Sequence, residues 1–296
     1  MKTETHLVPE EVIPIRLQEY GVGIFREFPT KSALKKALKK RYITVNGKPG
    51  STATMITGGE NIRLEVPPAK ATNKKLVFPL EVLFEDEHLA LVYKPAGIVV
   101  SGNSFKTLAN ALPQNLRPSK LPDAATPRPV HRLDLATTGI LLAGKTGSAI
   151  RALNKLFEDK QVEKTYYAVC IAEMFSFGNI STPVDGKSAL TEYRVLEKVT
   201  SERFGYLNLV ELKPQTGRRH QLRKHLSGLG NPILGDKEYG LEGLILKGKG
   251  LYLHAGSLRF EHPFTGKNLN IQTDLPKKFR KIFGPVQETS LGSNEG

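Results

Sequence analysis

Two polar segments of the sequence hold the residue types that could do chemistry. The first contains His131, Arg132 and Asp134 and runs directly into the apolar stretch Ile140 to Ala143. A loop at the end of a strand is where a fold commonly displays reactive groups. The simpler interpretation of this segment taken alone is a turn, in which Asp134 pairs with Arg132 or caps the backbone.

The second segment is strongly basic, with four Lys or Arg among the eight residues 218 to 225. It follows an apolar strand-like run and a Thr-Gly turn, and it reads as a helix. A fully solvated helix is disfavoured because Leu222 and Leu226 require an inward face. Arg219 and Arg223 each lie three residues before one of these leucines, beside that face. The spacing therefore predicts that an arginine of this helix reaches a site in the interior.

Other chemistries lack support in the sequence. Residues 139–146 match the phosphate-loop pattern G-x-x-x-x-G-K-T, but the four variable positions are Ile-Leu-Leu-Ala, which predict a strand. The seven histidines include no metal-binding spacing, so no metal site is expected. Cys170 lies in an apolar run and is expected to be buried filler. A phosphate-loop nucleotide hydrolase stays open as the least favoured alternative.

Length and charge point to an intracellular protein with an anionic partner. The 296 residues carry a net charge of +14, a balance that favours nucleic acid. No apolar run approaches the ~18 residues that a membrane span requires, and residues 1–12 mix charges where a signal peptide would be apolar. We expect a cytoplasmic protein that does not contact a membrane.

The chain is predicted to contain a small unit over residues 1–66, a linker over 67–76, a larger unit over 77–284 and a polar tail over 285–296. In the small unit, residues 30–41 begin with a capping threonine and predict a basic amphipathic helix. A hairpin with an Asn46-Gly47 turn follows. The larger unit mixes many short strands with helices such as 148–160, which predicts an α+β fold with a mixed, mostly antiparallel sheet.

The small unit resembles an S4 RNA-binding domain, a small α/β domain. Arg16-Leu17, the basic helix, Val45-Asn-Gly-Lys48 and Gly59-Glu-Asn-Ile62 occur in the order of that domain. Residues 18–20 depart from its pattern. The resemblance implies that the basic helix contacts RNA phosphates through Lys31, Lys35, Lys36, Lys39, Lys40 and Arg41.

The larger unit resembles the RluA-type pseudouridine synthases. The motifs that carry the resemblance occur in family order: Tyr93-Lys-Pro-Ala-Gly97, His131-Arg-Leu-Asp134 with its Thr-Gly, Lys164-Thr-Tyr166, Thr216-Gly-Arg-Arg-His-Gln-Leu-Arg223, Ile233-Leu-Gly-Asp236, and Leu253-His-Ala255 with His262-Pro263. Leu135-Ala136, Thr138 and Arg219 depart from the usual residues. An appended S4 domain is common in that family.

The resemblance implies that uridine in RNA is isomerised to pseudouridine without a cofactor, with the base flipped out of its helix. Asp134 would be the nucleophile, attacking C1′ of the sugar or C6 of the base. Arg223 is expected to pair with Asp134 in fork geometry, which keeps the carboxylate ionised. Tyr166 would stack on the uracil and help to remove the C5 proton. Arg132 could fill the vacated space, and His131, Arg218 and Arg219 are further candidate RNA contacts.

The substrate is expected to be ribosomal or transfer RNA, and the enzyme is expected to be a monomer. The rival interpretation from another class is a non-catalytic RNA-binding protein with the same fold. Intact Asp134, Tyr166 and Arg223 argue against this rival.

Overall fold

The structure is a computed structural model that describes residues 2–25, 28, 30–67 and 76–284. The chain divides into two compact units, Met1–Lys74 and Lys75–Gly296, which are called the N-terminal and C-terminal units below. The linker predicted over residues 67–76 lies almost wholly outside the described residues, and the tail predicted over 285–296 lies wholly outside them.

The N-terminal unit combines short strands with two helices. Its elements are β1 (Lys2–Leu7), β2 (Ile15–Arg16), α1 (Leu17–Tyr20), α2 (Lys31–Lys39), β3 (Ile43–Val45), β4 (Lys48–Pro49), β5 (Met55–Ile56) and β6 (Asn61–Val66). Four of the strands form an antiparallel sheet in the order β1-β6-β3-β4, and β2 pairs with β5. Asn46 and Gly47 join β3 to β4 with φ values of 48° and 76°, as a hairpin turn of type I′ requires.

Helix α2 is the basic amphipathic helix that the sequence predicts. The Thr30 hydroxyl caps it by accepting a hydrogen bond from the Ala33 amide at 3.2 Å. Leu34, Ala37 and Leu38 are buried in the core of the unit, while the four lysines of the helix are exposed. The helix therefore contributes apolar packing on one face and a row of positive charges on the other.

The C-terminal unit is a mixed α+β fold, as predicted. Its elements are β7 (Val82–Glu85), β8 (Leu89–Lys94), α3 (Leu108–Asn115), β9 (Ala124–Pro129), β10 (Thr138–Thr146), α4 (Gly147–Glu158), β11 (Glu163–Ile171), β12 (Phe177–Ile180), β13 (Thr191–Ser201), β14 (Gly205–Pro214), α5 (Gln221–Gly228), β15 (Leu253–Glu261), β16 (Asn268–Gln272) and α6 (Lys277–Phe283). The main sheet runs β12-β13-β14-β11-β15-β10-β8-β7, with β16 beside β15 and β9 beside β10.

The central strands are apolar on both faces because both faces of the sheet are covered. In β8, Leu89 and Leu91 pack into one hydrophobic cluster while Ala90 and Val92 pack into another. Side chains alternate across a strand, so a strand covered on both sides reads as an uninterrupted apolar run. This is why the strands at 89–93 and 140–143 are recognisable in the sequence.

One parallel pairing in the main sheet joins β10 to β15. β10 pairs with β15 in parallel register at Thr138 and Gly139, whereas the other ladders of this sheet are antiparallel. Gly139 has a φ of +117°, and a Cβ there would lie 2.1 Å from the carbonyl oxygen of Ala255. Only glycine permits this approach, and the approach fixes the start of β10 against β15.

The phosphate-loop alternative is wrong. Residues 139–146 lie inside strand β10 and form no loop that could surround a phosphate. The Lys145 side chain is 2% exposed, and its amine pairs with Glu85 at 2.7 Å. The lysine that would contact a nucleotide is therefore committed to an internal ion pair.

Two smaller observations complete the fold. Cys170 is buried in β11, as predicted, and burial raises the pKa of its thiol. Within the described part of the chain, no helix has the length and apolar character needed to cross a membrane.

Candidate active site

One cavity of the C-terminal unit brings the two polar segments of the sequence together. This cavity, called the central pocket below, has a volume of about 240 Å³. Its walls come from residues 132–134, 137, 166, 214, 216–223 and 253. Asp134, Tyr166 and Arg223 all line it, so the fold assembles the three side chains to which the resemblance assigns chemistry.

The Asp134 loop is short and internally bonded. Its residues lie between β9 and β10, and the Thr137 amide donates to the Asp134 carbonyl oxygen at 3.1 Å, which closes a turn. Leu133 is buried beside the aspartate. The Gly97 amide donates to the Leu135 carbonyl oxygen at 2.8 Å and ties the loop to the segment after β8. These contacts hold the backbone of the nucleophile candidate without using its carboxylate.

Lys94 anchors the same loop from beneath. The side chain is fully buried, and its amine donates to the carbonyl oxygens of Pro95, Leu135 and Thr137 at 3.0, 3.2 and 2.8 Å. An ammonium group has three donors, so all of them are satisfied. Burial lowers the pKa of Lys94 to about 8, while the charge of Asp134 acts in the opposite direction. At neutral pH a buried positive charge therefore lies below the loop.

The far end of the loop is held by a buried histidine. The Thr138 hydroxyl and His254 Nδ1 share a hydrogen bond of 2.9 Å, and His254 Nε2 shares another of 3.0 Å with the Thr273 hydroxyl. His254 is fully buried, and burial, followed by the nearby charge of Lys278, lowers its pKa to about 4. Neutral His254 thus connects the Asp134 loop to β15 and to the segment after β16.

Arg223 enters the pocket from α5, but its fork is directed at a different carboxylate from the one predicted. Its Nε and one terminal nitrogen donate to the two oxygens of Asp236 at 2.7 Å each. The other terminal nitrogen lies 3.9 Å from Asp134 Oδ2. The predicted fork between Arg223 and Asp134 is therefore wrong. Asp236 is better placed for the fork because its side chain is fully buried, so water cannot take the place of the arginine as its hydrogen-bond donor.

The turn before α5 is organised by Gln221. Its side-chain oxygen accepts hydrogen bonds from the Thr216 hydroxyl at 2.7 Å and the Arg218 amide at 3.0 Å. Its amide nitrogen donates to the Leu190 carbonyl oxygen and the Thr191 hydroxyl at 3.0 Å each. This buried amide fixes the Thr-Gly turn against β13 and determines where α5 begins.

His220, the residue before α5, also faces Asp134. Its backbone is left-handed, with a φ of 55° and a ψ of 24°, a conformation that costs a non-glycine residue free energy. Its Nε2 lies 3.6 Å from Asp134 Oδ1, and its Nδ1 shares a hydrogen bond of 3.0 Å with the Tyr239 hydroxyl. Glu238 lies 3.5 Å from the same Nδ1. The left-handed turn thus directs the imidazole between Asp134 and the Glu238–Tyr239 pair.

The Asp134 carboxylate itself accepts no hydrogen bond from the described part of the chain. Its side chain is 19% exposed, and among the described residues no donor lies within hydrogen-bond distance of its oxygens. An Arg223 terminal nitrogen lies 3.9 Å from Oδ2, and His220 Nε2 lies 3.6 Å from Oδ1. A carboxylate that is attracted by neighbouring groups but not capped by them can approach a ligand in the pocket.

Tyr166 provides the aromatic wall of the central pocket. It lies in β11, and burial, followed by the negative charge of Asp134, raises the pKa of its phenol well above the usual value. The resting phenol is therefore protonated. This argues against a phenolate that waits as a base in the free enzyme, although the flat face of the ring is available to stack on a base.

Comparisons with known proteins agree with this geometry. Residues 88–228 match the profile of a family described as RNA pseudouridylate synthase, and this range contains Asp134, Tyr166 and Arg223. A ribosomal large subunit pseudouridine synthase D of Zymomonas mobilis is 33% identical, over 96% of this chain and 97% of the relative. The chain belongs to the RluA family of RNA pseudouridine synthases. Its enzymatic activity is the isomerisation of uridine in RNA.

Two further matches support the family and the fold. An uncharacterised RNA pseudouridine synthase of Aquifex aeolicus is 32% identical over 93% of this chain and 95% of the relative. The solved human RNA pseudouridylate synthase domain containing 4 is 28% identical with a TM-score of 0.54, and the match covers 67% of this chain and 90% of that one. The profile match does not extend to the N-terminal unit, so its assignment as an S4 domain stays a prediction.

The predicted RNA contacts of this pseudouridine synthase fall into two groups. Arg132, Arg218 and Arg219 are exposed and line the central pocket. His131 is used differently, because its Nε2 accepts a hydrogen bond from the Leu142 amide at 2.9 Å. Burial, followed by the charge of Lys164, lowers the pKa of His131 to about 3. A neutral, internally bonded imidazole is a poor phosphate contact, which argues against the predicted role of His131.

Sequence reasoning assigned no role to Lys94, His220, Asp236 or Tyr239. The first three lie within motifs that carry the family resemblance, so their positions were visible but their contacts were not. Tyr239 is outside those motifs, and burial, followed by Glu238, raises its pKa to about 12. One local signal could have drawn attention to His220. It stands immediately before α5, at a position where Ser, Thr, Asp or Asn is the usual capping residue.

Proposed function

We propose that Asp134 is the nucleophile of this pseudouridine synthase. The observation that supports this most directly is its free carboxylate, which faces the central pocket between Arg223 and His220 and accepts no hydrogen bond from the residues that the structure describes. In the overall reaction the N1–C1′ bond of uridine breaks, the C5–C1′ bond forms, the C5 proton leaves and N1 regains a proton. Attack on C1′ or on C6 needs the same ionised carboxylate.

The cations around Asp134 supply charge without occupying its oxygens. Arg223 is held in place by Asp236 and directs only one terminal nitrogen toward Asp134. Buried Lys94 adds a second positive charge below the loop. Both positive charges attract the Asp134 side chain without forming a hydrogen bond to it. His220 acts in this proposal as a positioning residue that limits the directions Asp134 adopts.

Tyr166 has a proposed role that changes during the reaction. Its ring stacks on the flipped uracil at the start. A covalent bond at the Asp134 carboxylate removes the negative charge that contributes to the raised pKa of Tyr166. The phenol then loses its proton to solvent more readily than in the resting enzyme. The phenolate formed in this way accepts the C5 proton, which returns the side chain to its protonated form.

The proposed substrate is large-subunit ribosomal RNA. The support is that several relatives of about 30% identity are ribosomal large subunit pseudouridine synthases by name, such as a ribosomal large subunit pseudouridine synthase D of Xanthomonas campestris pv. campestris, of which the match covers 94%. Transfer RNA is the second substrate class to be tested. We further propose that the enzyme is cytoplasmic, since ribosomes are assembled in that compartment. We also propose that it is a monomer.

The N-terminal unit is proposed to act as an S4-like RNA-binding domain. The support is the exposed basic face of α2, whose lysines at 31, 35, 36 and 39 border one shallow depression. Lys40 and Arg41, just beyond the helix, are also exposed. Contacts of this kind to phosphates give affinity without reading sequence.

Asp134→Asn is the test of the mechanism. Asparagine keeps the size of the side chain but is not an anionic nucleophile, so we expect a folded protein that binds RNA and makes no pseudouridine. The measurement is carbodiimide labelling with primer extension on transcribed large-subunit ribosomal RNA and, separately, on transfer RNA. Asp274→Asn, at an exposed position outside the pocket, is the matched control. Substantial conversion by Asp134→Asn would refute the proposal.

A further inference from the structure

A second cleft, called the side cleft below, opens beside the central pocket. It has a volume of about 480 Å³ and shares Arg132, Tyr166 and residues 214 and 216–218 with that pocket. Its other walls come from three places: the segment after β9 (Val130, His131), the end of α4 and the start of β11 (Phe157, Glu158, Lys160, Lys164), and the residue after β14 (Gln215). An RNA chain that places a uridine in the central pocket must have neighbouring nucleotides at this boundary.

The side cleft contains two lysines without a counter-ion. Among the described residues, no carboxylate lies within ion-pair distance of Lys160 or Lys164. Glu158 borders the cleft, but its ion-pair contact, at 3.9 Å, is with Lys155. Burial, followed by the positive charge of Lys160, lowers the pKa of Lys164. Two mutually repelling ammonium groups, one of them half-buried, are stabilised when an anion binds between them.

The backbone at Lys160 provides a separate indication. Lys160 follows the C-terminal end of α4 with a φ of +59°, a position at which glycine is the usual residue because a side chain there is strained. Neither an ion pair nor a side-chain hydrogen bond within the described residues accounts for a lysine there. Strain retained at a cleft is typical of a residue whose side chain is used for binding.

The wall between the two lysines and the Asp134 loop is rigid and uncharged. The His131 ring stacks on Phe157 with centroids 4.8 Å apart, and the ring is fixed by the Leu142 amide. His131 is only three residues before Asp134. Apart from Glu158 at its border, the charged side chains of this cleft are lysines and arginines, which bind phosphate.

We propose that the side cleft binds the phosphodiester backbone adjoining the target uridine, with Lys160 and Lys164 as the phosphate contacts. This inference rests on the proposed function, because it assumes that the RNA enters the central pocket at Asp134. Lys164 and Tyr166 are two residues apart on one strand, so their side chains lie on the same face, roughly 6 to 7 Å apart along it. That separation suits a base stacked on Tyr166 and the phosphate of a neighbouring nucleotide on Lys164.

The test compares Lys164→Gln and Lys160→Gly with the control Lys267→Gln, which removes the same charge at an exposed turn outside both cavities. The probe is a short fluorescein-labelled oligouridylate, and binding is followed by anisotropy over a series of KCl concentrations. Each lost phosphate contact should reduce the slope of log K against log salt by about 0.7 for a single strand. Lys160→Gly should lower affinity without lowering the melting temperature, because it relieves the left-handed strain.

Three outcomes would overturn the proposal. They are a salt slope for both side-cleft variants equal to that of Lys267→Gln, a melting temperature for Lys160→Gly well below the wild-type value, and no binding of the probe by the wild-type protein. Turnover on transcribed ribosomal RNA is measured in parallel, with the loss in the variants expected mainly in KM. Failure of the proposed function would appear as substantial pseudouridine formation by Asp134→Asn, which is independent of the salt slopes.

Discussion

Replacing Asp236 with asparagine tests how much the Arg223–Asp236 pair contributes to folding, while Arg223 keeps its charge beside Asp134. Both oxygens of Asp236 are engaged, by the Arg223 fork at 2.7 Å and by the amides of Glu238 and Tyr239 at 3.0 and 3.1 Å. Asparagine retains one acceptor oxygen for the two backbone amides. Its amide nitrogen, however, would face an Arg223 donor, and two donors do not bond.

The cost follows from this loss. A hydrogen bond to a charged group contributes about 1.5 to 3 kcal/mol, and removing one partner of a buried ion pair costs about 3 to 5 kcal/mol. Arg223 retains Glu238 at 3.3 Å and Asp134 at 3.9 Å as partial replacements. We therefore expect Asp236→Asn to lower the free energy of unfolding by about 3 kcal/mol, near the lower limit for a broken buried pair.

The pH dependence of stability should identify the same group. Burial opposes ionisation of Asp236, but the hydrogen bonds from Arg223 and the backbone amides outweigh it and lower the pKa of the carboxyl. A lowered pKa in the folded protein means that the stabilisation is complete above the pKa of the unfolded carboxyl, about 4. It is lost as the pH falls through the folded value. The stability difference between wild type and Asp236→Asn should therefore shrink below about pH 4.

The assay is thermal unfolding of both proteins across this pH range, with Asp134→Asn measured beside them. A loss of about 3 kcal/mol corresponds to a fall in melting temperature of roughly 6 to 12 °C for a unit of this size. Asp134→Asn should change stability by less than about 1 kcal/mol, because it removes no hydrogen bond and only partly exposed ion contacts. Equal melting temperatures for Asp236→Asn and wild type at neutral pH would refute the reasoning.

Three further predictions test the groups around the pocket and the N-terminal unit. His220→Ala should reduce kcat on the order of 10- to 100-fold, with a smaller change in KM, because Asp134 loses a group that limits its direction; partial recovery in His220→Asn would support positioning, and unchanged kcat would contradict it. Thr138→Val should lower the free energy of unfolding by about 1 to 3 kcal/mol because it leaves buried His254 Nδ1 unpaired, whereas Thr138→Ser should melt close to the wild-type temperature. Equal melting temperatures for the two variants would exclude the hydrogen bond as the cause. Replacing Lys35, Lys36 and Lys39 with glutamine should lower the salt slope of RNA binding by roughly 2 to 3 if each contacts a phosphate, and an unchanged slope would remove α2 from the interface.

The sequence was informative where one segment determines its own structure. The Thr30 cap, the apolar face of α2 and the Asn46-Gly47 turn are local signals, and each is present in the structure. The strand at 140–143 was recognisable because both its faces are covered. The spacing of Leu222 and Leu226 predicted that Arg219 or Arg223 would reach the interior, and in the structure Arg223 is the buried one.

The partner of Arg223 could not be predicted because the choice is not local. Asp134, Asp236 and Glu238 all lie within 4 Å of the guanidinium, and no sequence spacing distinguishes them. The choice is made by burial, since the Asp236 side chain is fully buried while 19% of Asp134 and 52% of Glu238 are exposed. Lys94 was missed for the same reason, because its acceptors are carbonyl oxygens of a loop about 40 residues away.

Assigning the fork to Asp236 rather than Asp134 suits the chemistry better than the predicted pairing. A fork on Asp134 would engage both oxygens in short hydrogen bonds, and an attack on uridine would first have to break one of them, at a cost of about 1.5 to 3 kcal/mol. With Asp236 in that place, Arg223 is already fixed before RNA binds and its charge lies 3.9 Å from the proposed nucleophile. At this distance the guanidinium attracts the Asp134 carboxylate without holding either oxygen in a hydrogen bond. The carboxylate therefore remains free to move toward the substrate, which is why the longer contact suits the proposed attack better than the fork would.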